Sequence, residues 1–185
     1  TQEDMDTLEG DLSADGHIDD FLLNCGYSDD VKSSEDTETA EYVIVDDKNA
    51  FKDYVTLRTR RKHNDVVLGD SGVVITEKLS KDLGIKKGDK ITVTSSTGKQ
   101  TEAVVSGITE MYVNHYIYIS TEYYNELFGN VPDNNRVLIK INGDVSETES
   151  YMGDEYLTRD YIKGVSFLNA NITRFENMIQ SLDIS

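Results

Sequence analysis

The chain has 185 residues and a formal net charge of −17, from 35 acidic and 18 basic side chains. A chain of this length forms one domain or two small lobes and buries roughly 70% of its unfolded surface. The acidity argues against nucleic acid as the main partner, because contacts to phosphates require clustered Lys and Arg. The sequence has no apolar run of about 18 residues and therefore predicts no membrane span of its own.

The start of the chain and its cysteine content bear on its cellular context. It begins with Thr and shows no signal peptide, so we expect a mature product or a fragment of a longer protein. The single cysteine, Cys25, excludes an internal disulfide and is compatible with the cytosol or with the outside of a bacterium that uses few disulfides. No basic group lies near it in sequence, which predicts a buried structural thiol.

The charge is unevenly distributed along the chain. Residues 1–50 carry 16 acidic and 2 basic side chains, and residues 116–185 carry 11 and 5. Residues 51–115 carry 8 acidic and 11 basic side chains, and they contain the one basic cluster, RTRRKH at 58–63. Alternating basic residues suit the wet face of a strand, so the cluster favours a solvated hairpin over an anion site.

The first third of the chain predicts one weak helix and a hairpin. Residues 1–17 are polar, with Met5, Leu8 and Leu12 as the only apolar anchors of a frayed helix or a loose tail. Residues 20–47 read as two strands joined by a charged turn, because FLLNCGYSDDV alternates and EYVIVDD returns. The short helix KNAFKDYV and a second hairpin, VTLRTRRKHNDVVL, follow.

The stretch GVVITEKLSKDLGIKKGDKITV at 72–93 predicts strand, helix, turn and strand. Thr76 is the expected N-cap, Leu79 and Leu83 share one helix face, and Gly84 can adopt the left-handed conformation that ends the helix. Every residue type here is explained by folding alone.

The next elements are predicted with similar clarity. Residues 90–110 form a hairpin that turns at 96–99. MYVNHYIYIS at 111–120 is a strand, and a helix capped by Ser120 follows and ends at Gly129.

The last quarter predicts strands at 134–143 and 164–168, with helices at 146–161 and 171–183. Apolar residues recur at helical spacing in the final helix, namely Ile172, Phe175, Ile179 and Leu182.

This order of elements predicts an α+β fold with two lobes. A mixed α/β lobe is assembled discontinuously from residues 1–65 and 130–185. A small β-rich, barrel-like lobe is formed by residues 66–129.

No motif in the sequence predicts a catalytic, cofactor or metal residue. GDSG at 69–72 has the composition of a turn and lacks the partners of a serine protease nucleophile. His17, His63 and His115 are far apart, without ligands at metal spacing.

Tyrosines are concentrated between residues 112 and 124. In the strand at 111–120 the tyrosines and isoleucines occupy opposite faces, so neither face is polar. Such a strand is either buried on both sides or part of a contact surface. If it is a contact surface, the residues expected to meet a partner are Tyr112, His115, Tyr116, Tyr118 and Tyr123.

The sequence as a whole resembles one family. YVTLRTR with GVVITEKLSKDLGIKKGDKITV, VSGITEMYVNHYIYISTEYYNELFG and NRVLIKI are similar to the large extracytoplasmic domain of FtsX-like, or MacB-like, ABC transporter permeases of the large Gram-positive type. The segment GVSFLNANITRFENMIQSLDI resembles the part of that family that leads into the next transmembrane helix. The resemblance covers about 54–141 and 164–184.

The resemblance implies a porter-like α/β lobe beside a β-rich lobe, placed on the outer face of the cell membrane. It implies no enzymatic activity and no cofactor, because ATP is hydrolysed by a separate cytoplasmic subunit in this family. The implied partners are the permease's own transmembrane helices, that ATPase subunit indirectly, and an extracellular protein, peptide or lipid. Export, sensing, partner engagement and regulation of a cell-wall hydrolase remain open, as does a secreted or surface interaction or carbohydrate-binding module.

Overall fold

The computed structural model of the chain describes residues 1–143, 145–168 and 179–184. Its helices and strands, in chain order, are α1 Gln2–Ala14, β1 Ile18–Lys32, β2 Thr37–Val45, α2 Lys48–Phe51, β3 Val73–Thr76, α3 Glu77–Leu83, β4 Lys90–Thr94, β5 Gln100–Thr109, β6 Tyr116–Ser120, α4 Thr121–Phe128, β7 Arg136–Ile141, α5 Val145–Tyr156, β8 Ile162–Leu168 and β9 Ile179–Ile184. Within these residues, none of the helices has the length and apolar character required to cross a membrane.

The chain divides into two compact units. The terminal unit combines Thr1–Asn24 with Asn134–Ser185, and the central unit is Cys25–Asp133. The α+β fold class with a barrel-like unit is confirmed. The first boundary differs from the predicted division, because residues 25–65 belong with the barrel. The reason is strand pairing, since β2 bonds to the second half of β1 on one side and to β6 on the other.

The central unit is a closed six-stranded barrel. The ring runs β1, β2, β6, β3, β5 and β4, and it returns to β1. The pairs β2–β6 and β3–β5 are parallel, and the other four are antiparallel. Closure satisfies the backbone groups that an open sheet would leave at its edges.

One hydrophobic core unites the barrel strands with α3 and α4. Alternate residues of β3, β4 and β6 enter it, as do Leu79 and Leu83 of α3 and Tyr124 of α4. Gly84 and Gly129 end these helices at φ of 65° and 78°, as predicted from sequence.

The weakest seam of the barrel lies between β1 and β4, where one residue pair, Lys32 with Thr92, is in register. Tyrosine hydroxyls reinforce this seam. Tyr42 donates to the Asp30 carbonyl at 2.7 Å and accepts from the Thr94 N–H at 3.0 Å. Tyr27 donates to the Thr94 carbonyl at 2.8 Å, and its ring stacks on that of Tyr42. Side chains therefore replace part of the missing backbone ladder.

The terminal unit is an antiparallel sheet in the order β1, β7, β9 and β8. Helices α1 and α5 contribute to its hydrophobic core. The buried residues of that core are Met5, Leu8, Leu12, Val137, Ile139, Met152, Tyr156 and Ile162.

The first segment of the chain is a full helix, which settles the choice between a frayed helix and a loose tail. Thr1 caps α1 through a capping box with Asp4. Met5, Leu8 and Leu12 are buried in the core. Three apolar residues at helical spacing are therefore enough to hold the helix against the sheet.

The predicted final helix is wrong where it can be compared. Residues 179–184 form strand β9, which pairs with β7 on one side and β8 on the other. Two sets of inter-strand hydrogen bonds override a helical spacing of apolar residues, which carries no information about long-range partners. Ile172 and Phe175 lie outside the described residues.

Two other predicted strands are shorter in the structure. The segment 111–120 is extended as strand only at Tyr116–Ser120. The hairpin at 55–68 contains a single bridge, between Arg58 and Asp65, with His63 at φ 51° in its turn. Both departures create irregular backbone at the surface of the central unit.

Replacing Tyr42 by Phe tests the seam. The variant leaves the buried Thr94 N–H without its acceptor, so we expect the free energy of unfolding to fall by about 1–3 kcal/mol. Urea unfolding followed by circular dichroism measures the loss. Tyr112→Phe, at an exposed tyrosine, is the control and should stay within about 0.5 kcal/mol of wild type. Equal unfolding midpoints for the two variants would show that the seam does not depend on this hydroxyl.

Candidate partner-binding surface

A surface loop at residues 110–115 connects β5 to β6. Thr76, predicted as a helix N-cap, makes no side-chain cap bond to α3. Its hydroxyl instead donates to the Asn114 carbonyl at 2.9 Å and accepts from the Tyr116 N–H at 3.2 Å. The buried Thr76 side chain therefore fixes the end of the loop rather than the start of the helix.

The tip of this loop presents apolar side chains to solvent. Tyr112 is 49% exposed and Val113 is 79% exposed. The guanidinium of Arg60 lies over the Tyr112 ring, 4.1 Å from its centroid. A cation over an aromatic face is attracted by the ring quadrupole, so the contact joins this loop to the basic hairpin at 58–63.

His115 fastens the same end of the loop, where it enters β6. Its Nδ1 lies 3.0 Å from the Thr39 carbonyl oxygen and its Nε2 lies 2.8 Å from Asp82 Oδ2. Lys78 bonds the same carboxylate oxygen. The bonds from Lys78 and His115 lower the pKa of Asp82 below its usual value. These bonds fix the positions of all three side chains.

An open groove of about 490 Å³ lies beside the loop. Its lining is mixed, with hydroxyls, one carboxylate, one ammonium group and apolar side chains. The residues are Ser28, Thr39, Ala40, Glu41, Lys78, Val113, Asn114, His115 and Tyr116. Val113 therefore belongs both to the exposed tip and to the groove.

The five residues expected at a contact surface divide into two sets. Tyr118 and Tyr123 are buried, and the Tyr123 hydroxyl accepts from the Val104 N–H at 3.1 Å. Their burial removes them from any surface on which a partner could dock. Tyr112, His115 and Tyr116 remain at the exposed loop or the groove, so the prediction narrows to these three. Both faces of β6 are apolar because both are covered: Ile117 and Ile119 enter the barrel core, and the Tyr118 ring packs against Phe51.

A second groove, of about 380 Å³, lies in the terminal unit between α1 and α5. Asp15, only 7% exposed, accepts from the hydroxyls of Tyr151 and Tyr156 at 2.7 Å each. It also accepts from the His17 N–H at 2.9 Å, and the His17 ring stacks on that of Tyr151. Arg159 lies over Tyr156 and pairs with acidic neighbours. These polar groups form their hydrogen bonds and ion pairs with one another, so the cluster links helix α1 to helix α5.

The charge state of Asp15 is set by this cluster. Burial raises the pKa of its carboxyl, but hydrogen bonds from Tyr156, the His17 backbone, Tyr151 and the His17 ring outweigh burial and lower the pKa to about 2. The hydrogen bond that Tyr151 donates to Asp15, together with burial, raises the pKa of the Tyr151 hydroxyl to about 12. Both groups therefore keep their ordinary charge over the physiological range.

Sequence reasoning missed two features of these sites. The stacking of Arg60 on Tyr112 joins residues 52 positions apart, and the Asp15 cluster joins residues more than 130 apart. No local pattern signals either contact. In the described ranges, no group of three or more His, Cys, Asp or Glu side chains is arranged to hold a metal ion.

Comparison with known proteins finds similarity in solved structures. The chain is similar to the extracellular domain of the noncanonic ABC-type transporter YknZ from Gram-positive bacteria, with a TM-score of 0.49 and 11% identity, over 82% of this chain and 83% of that one. It is also similar to the periplasmic region of MacB from Actinobacillus actinomycetemcomitans, with a TM-score of 0.43 and 13% identity, over 78% and 69% of the two chains. No family model and no curated protein sequence matches.

Acid titration tests the role of Asp15. Its pKa is about 2 in the folded state against an ordinary 3.8, so its stabilising contribution is complete above about pH 4 and is lost as the pH falls towards 2. We expect Asp15→Asn to lower the free energy of unfolding at neutral pH by about 2 kcal/mol and to flatten its decline in acid. The control is Asp160→Asn, at an exposed carboxylate. Parallel pH curves for wild type and Asp15→Asn would contradict the assignment.

Proposed function

We propose that this chain is the extracytoplasmic domain of an ABC transporter permease, and that it relays motion of membrane helices to an outer partner or substrate. The sequence resemblance over about 54–141 and 164–184 supports the class of protein. The observation that carries the mechanical part is the discontinuous terminal unit, in which Thr1–Asn24 and Asn134–Ser185 fold together. A force applied through either segment then acts on one packed body.

The internal contacts of that unit suit a mechanical role. Leu8 and Leu12 of α1 are fully buried in one core with Met152 and Tyr156 of α5. The Asp15 cluster adds charge-assisted hydrogen bonds between the same two helices. Tightly packed elements transmit displacement rather than absorb it, because protein interiors are dense and have low compressibility.

The proposal includes no enzymatic activity. The carboxylates with clearly lowered pKa values, such as Asp15 and Asp82, are held by internal hydrogen bonds that keep them ionised. A general acid or base instead needs a pKa near the working pH and access to a substrate. Contact with an outer partner is assigned to Tyr112, His115 and Tyr116, at the exposed loop and the groove beside it.

A secreted or surface module is the second candidate, favoured by the exposed Tyr112 beside an open groove. A carbohydrate site normally offers an aromatic face to a sugar ring. Arg60 already covers one face of Tyr112, which leaves the other face and the ring edge for such a contact.

Labelling of intact cells separates the two candidates. Lys99→Cys places a thiol on the exposed turn between β4 and β5, whereas the native Cys25 is buried. We expect a membrane-impermeant maleimide to label the Lys99→Cys protein in intact cells, and the labelled protein to sediment with the membranes.

The wild-type protein is the matched control: Cys25 of this chain is buried and should stay unlabelled until the domain is unfolded, so the signal that counts is the labelling added by Lys99→Cys. Labelled protein recovered from the culture medium would favour the secreted module. A thiol that reacts only after cell lysis would place the domain inside the cell and overturn both candidates.

ATP hydrolysis by the complete permease and its ATPase subunit, reconstituted in lipid nanodiscs, tests the relay. Asp15→Asn loosens the tie between α1 and α5, so its rate of ATP hydrolysis should differ from that of wild type. Asp160→Asn removes the same charge from an exposed position and should leave the rate unchanged. Equal rates for all three proteins would contradict coupling through the terminal unit.

A further inference from the structure

The basic hairpin at 58–63 carries cationic side chains on an exposed turn beside an apolar loop tip. The Arg58 guanidinium forms an ion pair with Glu110, and both side chains are largely buried, so Arg58 is not available to a ligand. Its backbone is also held, since the Glu110 N–H donates to the Arg58 carbonyl at 2.8 Å and the Arg58 N–H donates to the Thr109 hydroxyl at 3.0 Å. These contacts anchor the hairpin beside the loop at 110–115.

The remaining cations of the hairpin face solvent. Arg60 is 51% exposed and lies 3.9 Å from Glu77, a long ion pair of small energetic value. Arg61 and Lys62 are exposed, and within the described part of the chain they make no ion pair. They stand in the turn of the hairpin, next to His63 at φ 51°.

Apolar surface lies directly against one of these cations, Arg60. Arg60 covers one face of Tyr112, and Val113 follows as the most exposed large apolar residue of the described chain. Val113 in turn lines the groove with His115 and Tyr116. We define the hairpin patch as Arg60, Arg61, Lys62, Tyr112 and Val113.

We propose that the hairpin patch binds a short acidic peptide segment of a partner protein, with an apolar side chain between its carboxylates. Arg recognises carboxylates through paired N–H donors, and Tyr112 and Val113 supply the apolar contact. The segment then continues into the adjoining groove. The inference deepens the partner contact proposed above and depends on it only for the location of the surface.

Charge complementarity selects a peptide over a larger anion. The chain carries a net charge of −17, so an anionic lipid surface or a long polyanion would meet repulsion wherever it extended past the patch. Exposed charges are screened beyond about 8 Å at physiological salt, which lets a short segment experience the local cations alone.

Binding is tested with the 185-residue chain and the peptide Glu-Glu-Leu-Glu-Glu, by amide chemical-shift changes in NMR titrations. We expect shifts confined to residues 58–63 and 110–116. Gln-Gln-Leu-Gln-Gln should not bind, and Glu-Glu-Gly-Glu-Glu should bind more weakly. Arg61→Glu with Lys62→Glu should weaken binding at least about fivefold, because two attractive contacts become repulsive.

The matched control is Lys86→Glu with Lys87→Glu, an exposed basic pair elsewhere in the same unit. This control changes the net charge equally and should bind as wild type does. Equal weakening in both double variants, or no binding by wild type, would overturn the proposal. Binding of wild type to phosphatidylglycerol vesicles but not to the peptide would overturn it in favour of a lipid surface. None of these outcomes depends on where labelling places the chain in the cell.

Discussion

Closure of the barrel between β1 and β4 is the constraint on which the central unit depends. Five of the six strand junctions are ladders of two or more register pairs, but this one has the single pair Lys32 with Thr92. The Tyr42 hydroxyl, from β2, bonds backbone groups of both strands, and the Tyr27 hydroxyl of β1 bonds the Thr94 carbonyl of β4. Without those hydroxyls, a stretch of buried backbone would lose its partners, at a cost comparable to a substantial part of a domain's net stability.

Closure also determines how a partner can bind to the central unit. A closed ring has no free edge, so a partner cannot add a strand to it and must bind to loops or side chains. The loop at 110–115 and the hairpin at 58–63 are two such irregular segments, and they contact each other through Arg60 and Tyr112. Hydrogen bonds from the side chains of Thr76 and His115 fix the loop where it enters β6. Tyr112 and Val113 are therefore exposed on a loop whose end is held in place.

In the terminal unit, side-chain hydrogen bonds join two helices rather than two strands. Its sheet uses segments from both ends of the chain, and α1 is joined to α5 by a shared core and by Asp15. A buried carboxylate is stable there because four donors surround it, and the energy of those bonds exceeds the cost of desolvation. A unit built in this way suits a body that moves as a whole, which is the property that the proposed relay requires.

The sequence by itself determined the fold class and most of the local elements. The helix ends at Gly84 and Gly129, the hairpin of β4 and β5 and the burial of Cys25 all follow from residue types and short spacings. Only the tertiary structure decided which strands meet. It made Ile179–Ile184 a strand, moved residues 25–65 into the barrel and placed Arg60 over Tyr112. The physical reason is that local preferences of about 1 kcal/mol or less per residue yield to long-range hydrogen bonds and burial, which no short window of sequence contains.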